Sequence, residues 1–204
     1  MDITLIIATF NRAELLEKAL ASIERSNVSS ATWEALVVDN NSTDRTASVI
    51  NGFCHGELNC FYVFEREPGK SRALNAGIRQ ARGHLVAFTD DDVEVDPKWL
   101  QYLTLPIRDG LCVGVAGRIL PEKPVKLPRW LPEGPHALAP LALFDPPRGA
   151  GPLNTAPYGA NMAFHKSVFE KYGGFRIDLG PQSGGSPQHG EDSEFGDRLL
   201  QGGE

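Results

Sequence analysis

The sequence predicts an α/β domain with a mainly parallel, Rossmann-like sheet flanked by helices. Three observations lead there. Near-continuous apolar runs of strand length alternate with segments of helical periodicity through the first half of the chain. Such runs suit strands buried on both faces, as in parallel sheets. The run His84-Leu85-Val86-Ala87-Phe88-Thr89 ends abruptly in Asp90-Asp91-Asp92. Acids are therefore expected where a buried strand leaves the sheet, and in open α/β sheets ligands bind in that crevice. Finally, 204 residues with 41% hydrophobic and 23% charged side chains fit one globular domain with a proper core.

The elements follow in order. Residues 3–8 (Ile-Thr-Leu-Ile-Ile-Ala) read as the first strand. Asn11, with Glu14 three positions on, resembles a capping box. Leu15, Leu16, Ala19, Leu20 and Ile23 then recur at helical spacing. Residues 35–38 are a second strand ending in Asp39, and Ser42 or Thr43 can cap a short helix carrying Ala47, Val49 and Ile50. Residues 60–64 form a third strand. Gly69-Lys70-Ser71 opens a helix that places Ala73, Leu74, Gly77, Ile78 and Ala81 on one face. Residues 85–89 are the fourth strand. Asp96-Pro97 starts a helix, with proline at the first helical position, and that helix is expected to stop before Pro106.

The second half changes character. Residues 113–119 can form another strand. Residues 121–157 then hold ten of the fifteen prolines, which excludes a mostly helical segment or a central strand there. A loop this long points to a substrate-side role, with a linker as the alternative. Structure is expected to return at residues 158–164, followed by a short helix over 166–172 stopped by Gly173-Gly174. A glycine-rich stretch then leads into Glu191-Asp192, which opens a last helix carrying Phe195, Leu199 and Leu200. Acids in a first helical turn are favoured by the dipole, so capping alone would account for this pair. The domain is read as one unit over 1–204, with one half at 1–110 and another at 111–204. The end of the sequence suggests that more chain follows.

Composition excludes several classes. A net charge of -6 argues against a general nucleic-acid binder. No apolar run reaches membrane-spanning length. Cys54, Cys60 and Cys112 show no C-x-x-C spacing and read as free thiols or small buried groups, so zinc is not expected. Without a basic leader before the first strand, the expected location is cytoplasmic, or membrane-associated if the protein extends further. No G-x-G-x-x-G follows any strand, which excludes a plain dinucleotide-binding dehydrogenase.

The chemistry sits in short motifs. Three adjacent acids are costly to assemble unless a cation or hydrogen-bond donors share the site, so Asp90-Asp91-Asp92 reads as a seat for a divalent metal and a phosphate-bearing ligand. On an extended chain Asp90 and Asp92 point to one side. Backbone N–H groups at Gly69-Lys70-Ser71 suit an anionic ligand, and Asn75, one turn after Ser71, can face the same pocket. Asp44 fits a helix-terminal role. His165 and His189 read as surface or structural groups.

Ala8-Thr9-Phe10-Asn11-Arg12, Val37-Val38-Asp39-Asn40-Asn41-Ser42-Thr43-Asp44, Gly69 to Gly77, Asp90-Asp91-Asp92, Gly159-Ala160-Asn161-Met162 and Gly190-Glu191-Asp192 occur in this order. Each is weak alone. Together they resemble a family 2 glycosyltransferase, an inverting, nucleotide-sugar-dependent enzyme of the GT-A fold. The resemblance implies that Thr9, Asn11, Arg12, Asp39, Lys70, Asn75, Asp90 and Asp91 serve the nucleotide. It puts Asp92 on Mn²⁺ or Mg²⁺, and Ala160, Asn161 and Glu191 on the sugar or acceptor. Asp192 is implied as the base, with Glu191 beside it. One base suffices for inverting transfer, unlike the carboxylate pair of a glycoside hydrolase. The family often has arginine beside the asparagine of the third helix, where this chain has Leu74. The resemblance also makes 1–110 the nucleotide-binding half and 111–204 the acceptor-side half. The donor implied is a UDP-sugar, and the acceptor a carbohydrate, lipid-linked or small-molecule hydroxyl. Two alternatives are a GT-A-like module that binds a nucleotide sugar without turnover, and a nucleotidyltransferase. Against the latter, the turn after the first strand carries no glycine.

Overall fold

The computed structural model describes residues 1–123, 143–145, 151, 156–180 and 190–204. The elements are β1 (Ile3–Thr9), α1 (Ala13–Glu24), β2 (Trp33–Asp39), α2 (Thr46–Cys54), β3 (Cys60–Phe64), α3 (Lys70–Gln80), β4 (Leu85–Thr89), α4 (Trp99–Arg108), β5 (Gly114–Ala116), β6 (Asn161–His165), α5 (Ser167–Tyr172) and α6 (Glu191–Gln201). The six strands form one sheet in the order β3-β2-β1-β4-β6-β5. β1 pairs in parallel with both β2 and β4, and β2 in parallel with β3. β6 runs antiparallel between β4 and β5. Most of the Pro-rich segment 121–157, with Trp130 and Leu141, lies outside the described residues, as do the glycines at 184 and 185 and His189. Of the Pro-rich segment, Phe144 forms an isolated bridge with Ile119.

Alternation along β1 builds a three-layer core. Ile3, Leu5 and Ile7 join Leu16, Leu20, Ile50, Leu100 and Leu103, from α1, α2 and α4. Ile6 turns to the other face and joins Ala73, Leu74, Val168, Phe169, Phe195 and Leu199, from α3, α5 and α6. Helices thus cover both faces, as parallel strands require. α3 lies close on β1: a Cβ on Gly77 would come within 2.7 Å of Ile6 Cγ2, so only glycine fits there without a shift.

At the amino ends of β1 and β2, the carboxylate of Glu34 is fully buried. It accepts hydrogen bonds from the Thr4 hydroxyl at 2.8 Å, from Arg82 N–H at 3.1 Å and from Arg82 Nε at 2.7 Å, and it pairs with Arg82 Nη2. Burial works against the charged form, yet these donors hold the carboxyl below its ordinary range.

Several expectations are corrected. α4 runs through Pro106 to Arg108, because Leu103 and Ile107, four apart, both bury against the sheet and outweigh the missing N–H. The fifth strand is only Gly114–Ala116. The capping box at α1 is not made. Asp44 instead accepts from Ala13 N–H at 3.2 Å and from Thr46 N–H at 2.9 Å, so one carboxylate caps both α1 and α2. Cys54 and Cys60 are not free thiols but a disulfide, with Cα atoms 4.8 Å apart across the α2–β3 turn. Cys112 is free and exposed.

Candidate functional site

The strand order reverses between β1 and β4, since β1 leads to β2 on one side while β4 lies on the other. The carboxyl ends of these two strands therefore flank the crevice where open α/β sheets bind ligands. Thr9-Phe10-Asn11-Arg12 leaves β1 there, and Asp90-Asp91-Asp92 leaves β4.

The β1 turn is rigidly built. Asn11 takes a left-handed φ of 52°, uncommon without glycine. Its side chain holds it there: Oδ1 accepts from Thr43 N–H at 2.7 Å and Asp44 N–H at 3.3 Å. Its own N–H donates to Ser42 Oγ at 2.9 Å. This turn presents Arg12, whose Nη1 lies 3.1 Å from Asp91 Oδ1 and 2.9 Å from Asp92 Oδ2. Asp91 and Asp92 occupy a turn rather than extended chain. Asp91 and Asp92 therefore meet one cation together, while Asp90 turns to another, and the two-residue alternation expected from the sequence does not hold.

Burial pushes the Asp91 carboxyl up from its ordinary value, against the pull of Thr9 and Arg12. Asp91 in turn is the main cause that raises Arg12. The buried Thr9 hydroxyl lies close enough to favour the charged form of Asp91, but meets no partner at hydrogen-bonding geometry. Phe10, between Thr9 and Asn11, is 44% exposed at this strand end. Its signal in the sequence was a large aromatic at a turn, which carried no assigned role.

Asp39 ends β2. Its Oδ1 accepts from Ser42 N–H at 2.8 Å and its Oδ2 from the Tyr62 hydroxyl at 3.0 Å. Burial, and then this bond to Asp39, push Tyr62 up to about 12. Asn40 was not singled out in the sequence. Its Oδ1 accepts from Gly69 N–H at 2.7 Å and its Nδ2 donates to Glu67 O at 2.7 Å, so it fixes the approach to α3. Gly69 adopts φ 132°, a region closed to most side chains.

Lys70, the first residue of α3, joins the two halves of the chain. Its Nζ lies 2.7 Å from Asp90 Oδ1 and 3.9 Å from Glu191 Oε1. Burial alone would lower this ammonium, but Asp90, Glu191 and Asp192 hold it above its ordinary value. Glu191 is nearly buried. Asp192 lies in the first turn of α6, after Gly190 in the left-handed conformation. Its Oδ2 accepts from Gly159 N–H at 2.8 Å and its Oδ1 from Ser193 N–H at 2.8 Å. Each carboxylate oxygen keeps a further lone pair that can accept a proton. Ala160 adjoins Gly159, and its carbonyl accepts from the Thr89 hydroxyl at 3.0 Å.

Three residues expected at the site make contacts within the fold. Asn75 donates from Nδ2 to Phe175 O at 2.7 Å and accepts from Phe175 N–H at 2.9 Å. Ser71 donates to Leu179 O at 2.8 Å. Together they clamp the segment after α5 onto α3. Asn161 accepts from Trp99 Nε1 at 2.8 Å and donates to Arg118 O at 2.7 Å, bracing β6 against α4.

Among the described residues, no group of three or more His, Cys, Asp or Glu side chains is arranged to hold a metal on its own. Asp92, its side chain 44% exposed at the end of β4, fits a hard cation that takes most of its oxygens from other ligands. No described helix is long and apolar enough to cross a membrane.

The profile of the family described as "Glycosyl transferase family 2" matches residues 4–173. The chain is 34% identical over 101 residues to "Validoxylamine A glucosyltransferase" of Streptomyces hygroscopicus subsp. jinggangensis, covering 48% of this chain and 24% of that protein. It is 34% identical over 123 residues to "GalNAc(5)-diNAcBac-PP-undecaprenol beta-1,3-glucosyltransferase" of Campylobacter jejuni, covering 59% of this chain and 39% of the relative. The chain thus spans well under half the length of these two relatives. Its fold is similar to a mannosyltransferase from Pyrobaculum calidifontis in complex with GDP-Man and Mn²⁺, with a TM-score of 0.66 and 24% identity over 95% of this chain and 50% of the other. It is also similar to S. aureus TarS 1-349 in complex with UDP-GlcNAc, with a TM-score of 0.69 and 18% identity over 97% of this chain and 53% of the other. These likenesses establish the GT-A fold.

Proposed function

The chain belongs to glycosyl transferase family 2, and from that premise we propose that it transfers a sugar, with inversion, from a nucleotide-diphosphate donor to an acceptor hydroxyl. The observation that carries the reading is the position of Lys70. One ammonium meets Asp90 from the β4 end and Glu191 from α6, so motifs a hundred residues apart share one crevice.

In this reading Thr9, Phe10, Asn11 and Asp39 hold the nucleobase, Phe10 through its exposed ring face. Asp90 takes the nucleoside, and Arg12 and Lys70 supply positive charge near the diphosphate, with Asp91 as the buried partner of Arg12. Asp92 would hold Mn²⁺ or Mg²⁺, which when bound neutralises charge on the leaving diphosphate. The sugar sits against Gly159 and Ala160, with Asn161 bracing that wall and Asn75 bracing the floor. Asp192 accepts the proton of the attacking hydroxyl as it adds to the anomeric carbon. The N–H groups of Gly159 and Ser193 aim its carboxylate, and Glu191 orients the sugar or acceptor.

A UDP-sugar is the favoured donor, in line with the UDP-GlcNAc named for one structural relative, although another is named with GDP-Man. A lipid-linked acceptor is in line with the undecaprenol compound named for one sequence relative. The test is a donor screen by release of the nucleoside diphosphate. The reading expects Asp192→Asn to keep donor binding and to lose about 10²–10⁴-fold in rate, the range for a lost general base. Turnover at the wild-type rate in that variant would refute the assignment.

A further inference from the structure

The crevice gathers five carboxylates, on Asp90, Asp91, Asp92, Glu191 and Asp192. Among the described residues, two cations are paired with them. Lys70 serves Asp90 and Glu191, and Arg12 serves Asp91 and Asp92. Arg12 is unusual in its mounting. Its backbone follows the left-handed Asn11, which is locked by Ser42, Thr43 and Asp44 from another loop. A half-exposed guanidinium is thereby aimed at the acids by a turn that cannot easily relax. A single nitrogen, Nη1, spans an oxygen of nearly buried Asp91 and an oxygen of exposed Asp92. Asp91 needs this partner, since a buried carboxylate without a cation is costly. Asp92 does not, because it faces solvent.

We propose that Arg12 is a built-in counter-cation of the acid turn that competes with a divalent metal for Asp92, so that the metal seat is weak until the guanidinium is drawn away. The inference rests on Asp92 being the metal residue. The physical cause is plain: a unit positive charge 2.9 Å from the oxygen that would bind the metal repels that metal and occupies one of its lone pairs. A donor's diphosphate offers the guanidinium another anionic partner in bidentate geometry. Release of Asp92 and arrival of the phosphate oxygens then favour each other. Arg12 is in this sense a positioning residue, acting on the metal seat through Asp92.

The test uses Mn²⁺ alone, without nucleotide, and reads free Mn²⁺ by electron paramagnetic resonance. Thermal melts verify that each variant is folded. The expected result is that Arg12→Gln binds Mn²⁺ at least about fivefold more tightly than the wild type, as removal of a neighbouring like charge requires. Arg12→Lys keeps the charge and stays within about twofold of the wild type. Asp92→Asn abolishes the binding in either background. Equal or weaker binding by Arg12→Gln, with binding still lost in Asp92→Asn, overturns the competition while leaving the metal residue in place. Much tighter binding by Arg12→Lys also overturns it. Unchanged binding in Asp92→Asn removes the premise that Asp92 holds the metal, and the inference with it.

Discussion

Lys70 Nζ lies 2.7 Å from Asp90 Oδ1, at the carboxyl end of β4, while the same ammonium faces Glu191 at the start of α6. This contact ties the acid turn to the last helix. Lys70→Met is expected to leave Asp90 and Glu191 without the cation they share. The cost is about 2 kcal/mol, less than for a fully buried pair because Lys70 and Asp90 keep some exposure. Urea unfolding measures that loss, and sugar transfer should fall with it. A variant as stable and active as the wild type would show the bridge to be incidental.

Phe10 presents an exposed ring where the base is proposed to sit. Stacking is worth about 1–3 kcal/mol per base, so Phe10→Ala should weaken nucleoside diphosphate binding about tenfold or more. Calorimetry reads the change. An unaltered dissociation constant would place the base elsewhere.

Asn75 should behave as a brace. Asn75→Ala leaves the N–H and C=O of Phe175 without their partner, a loss of about 1–3 kcal/mol. The melting temperature should drop, while UDP affinity in the folded protein stays within about twofold. A large affinity loss at unchanged stability would return Asn75 to the nucleotide pocket.

Glu34 gives a pH signature at the opposite end of the sheet. Its folded-state pKa lies below the ordinary 4.5, because the Arg82 and Thr4 donors outweigh burial. The unfolded chain therefore takes up this proton first as pH falls. The carboxylate's contribution is complete above about pH 4.5 and is lost as pH drops through the depressed value. Glu34→Gln should accordingly be less stable than the wild type at pH 7, with the gap narrowing below pH 4.5. Denaturant midpoints across pH 3 to 7 test this, and a gap independent of pH would contradict it.

Much of the fold was legible because burial writes itself locally. The runs at residues 3–8, 35–38 and 85–89 read as buried strands, and the structure extends the first two to Ile3–Thr9 and Trp33–Asp39, while Asp90-Asp91-Asp92 marked the strand end. Asp44 was legible as a helix-end residue, though not as the cap of two helices at once. Other features came from long-range partners that no local pattern encodes. Asn75 meets Phe175 a hundred residues away, and Asn161 meets Trp99 sixty-two residues away. The D-D-D spacing suggested alternation, but the chain turns at Asp91, so Arg12 collects two neighbours. The Cys54–Cys60 bond depends on the α2–β3 turn bringing the two sulfurs together, which spacing alone does not determine.

The most direct test of the account is titration calorimetry of UDP, GDP and dTDP, each with and without Mn²⁺, on the wild type and on Asp92→Ala. One of these nucleotides, UDP by preference, should bind about tenfold or more tightly with Mn²⁺, and Asp92→Ala should abolish the metal effect. Absence of nucleotide binding with Mn²⁺ present, or binding indifferent to both metal and Asp92, would contradict it.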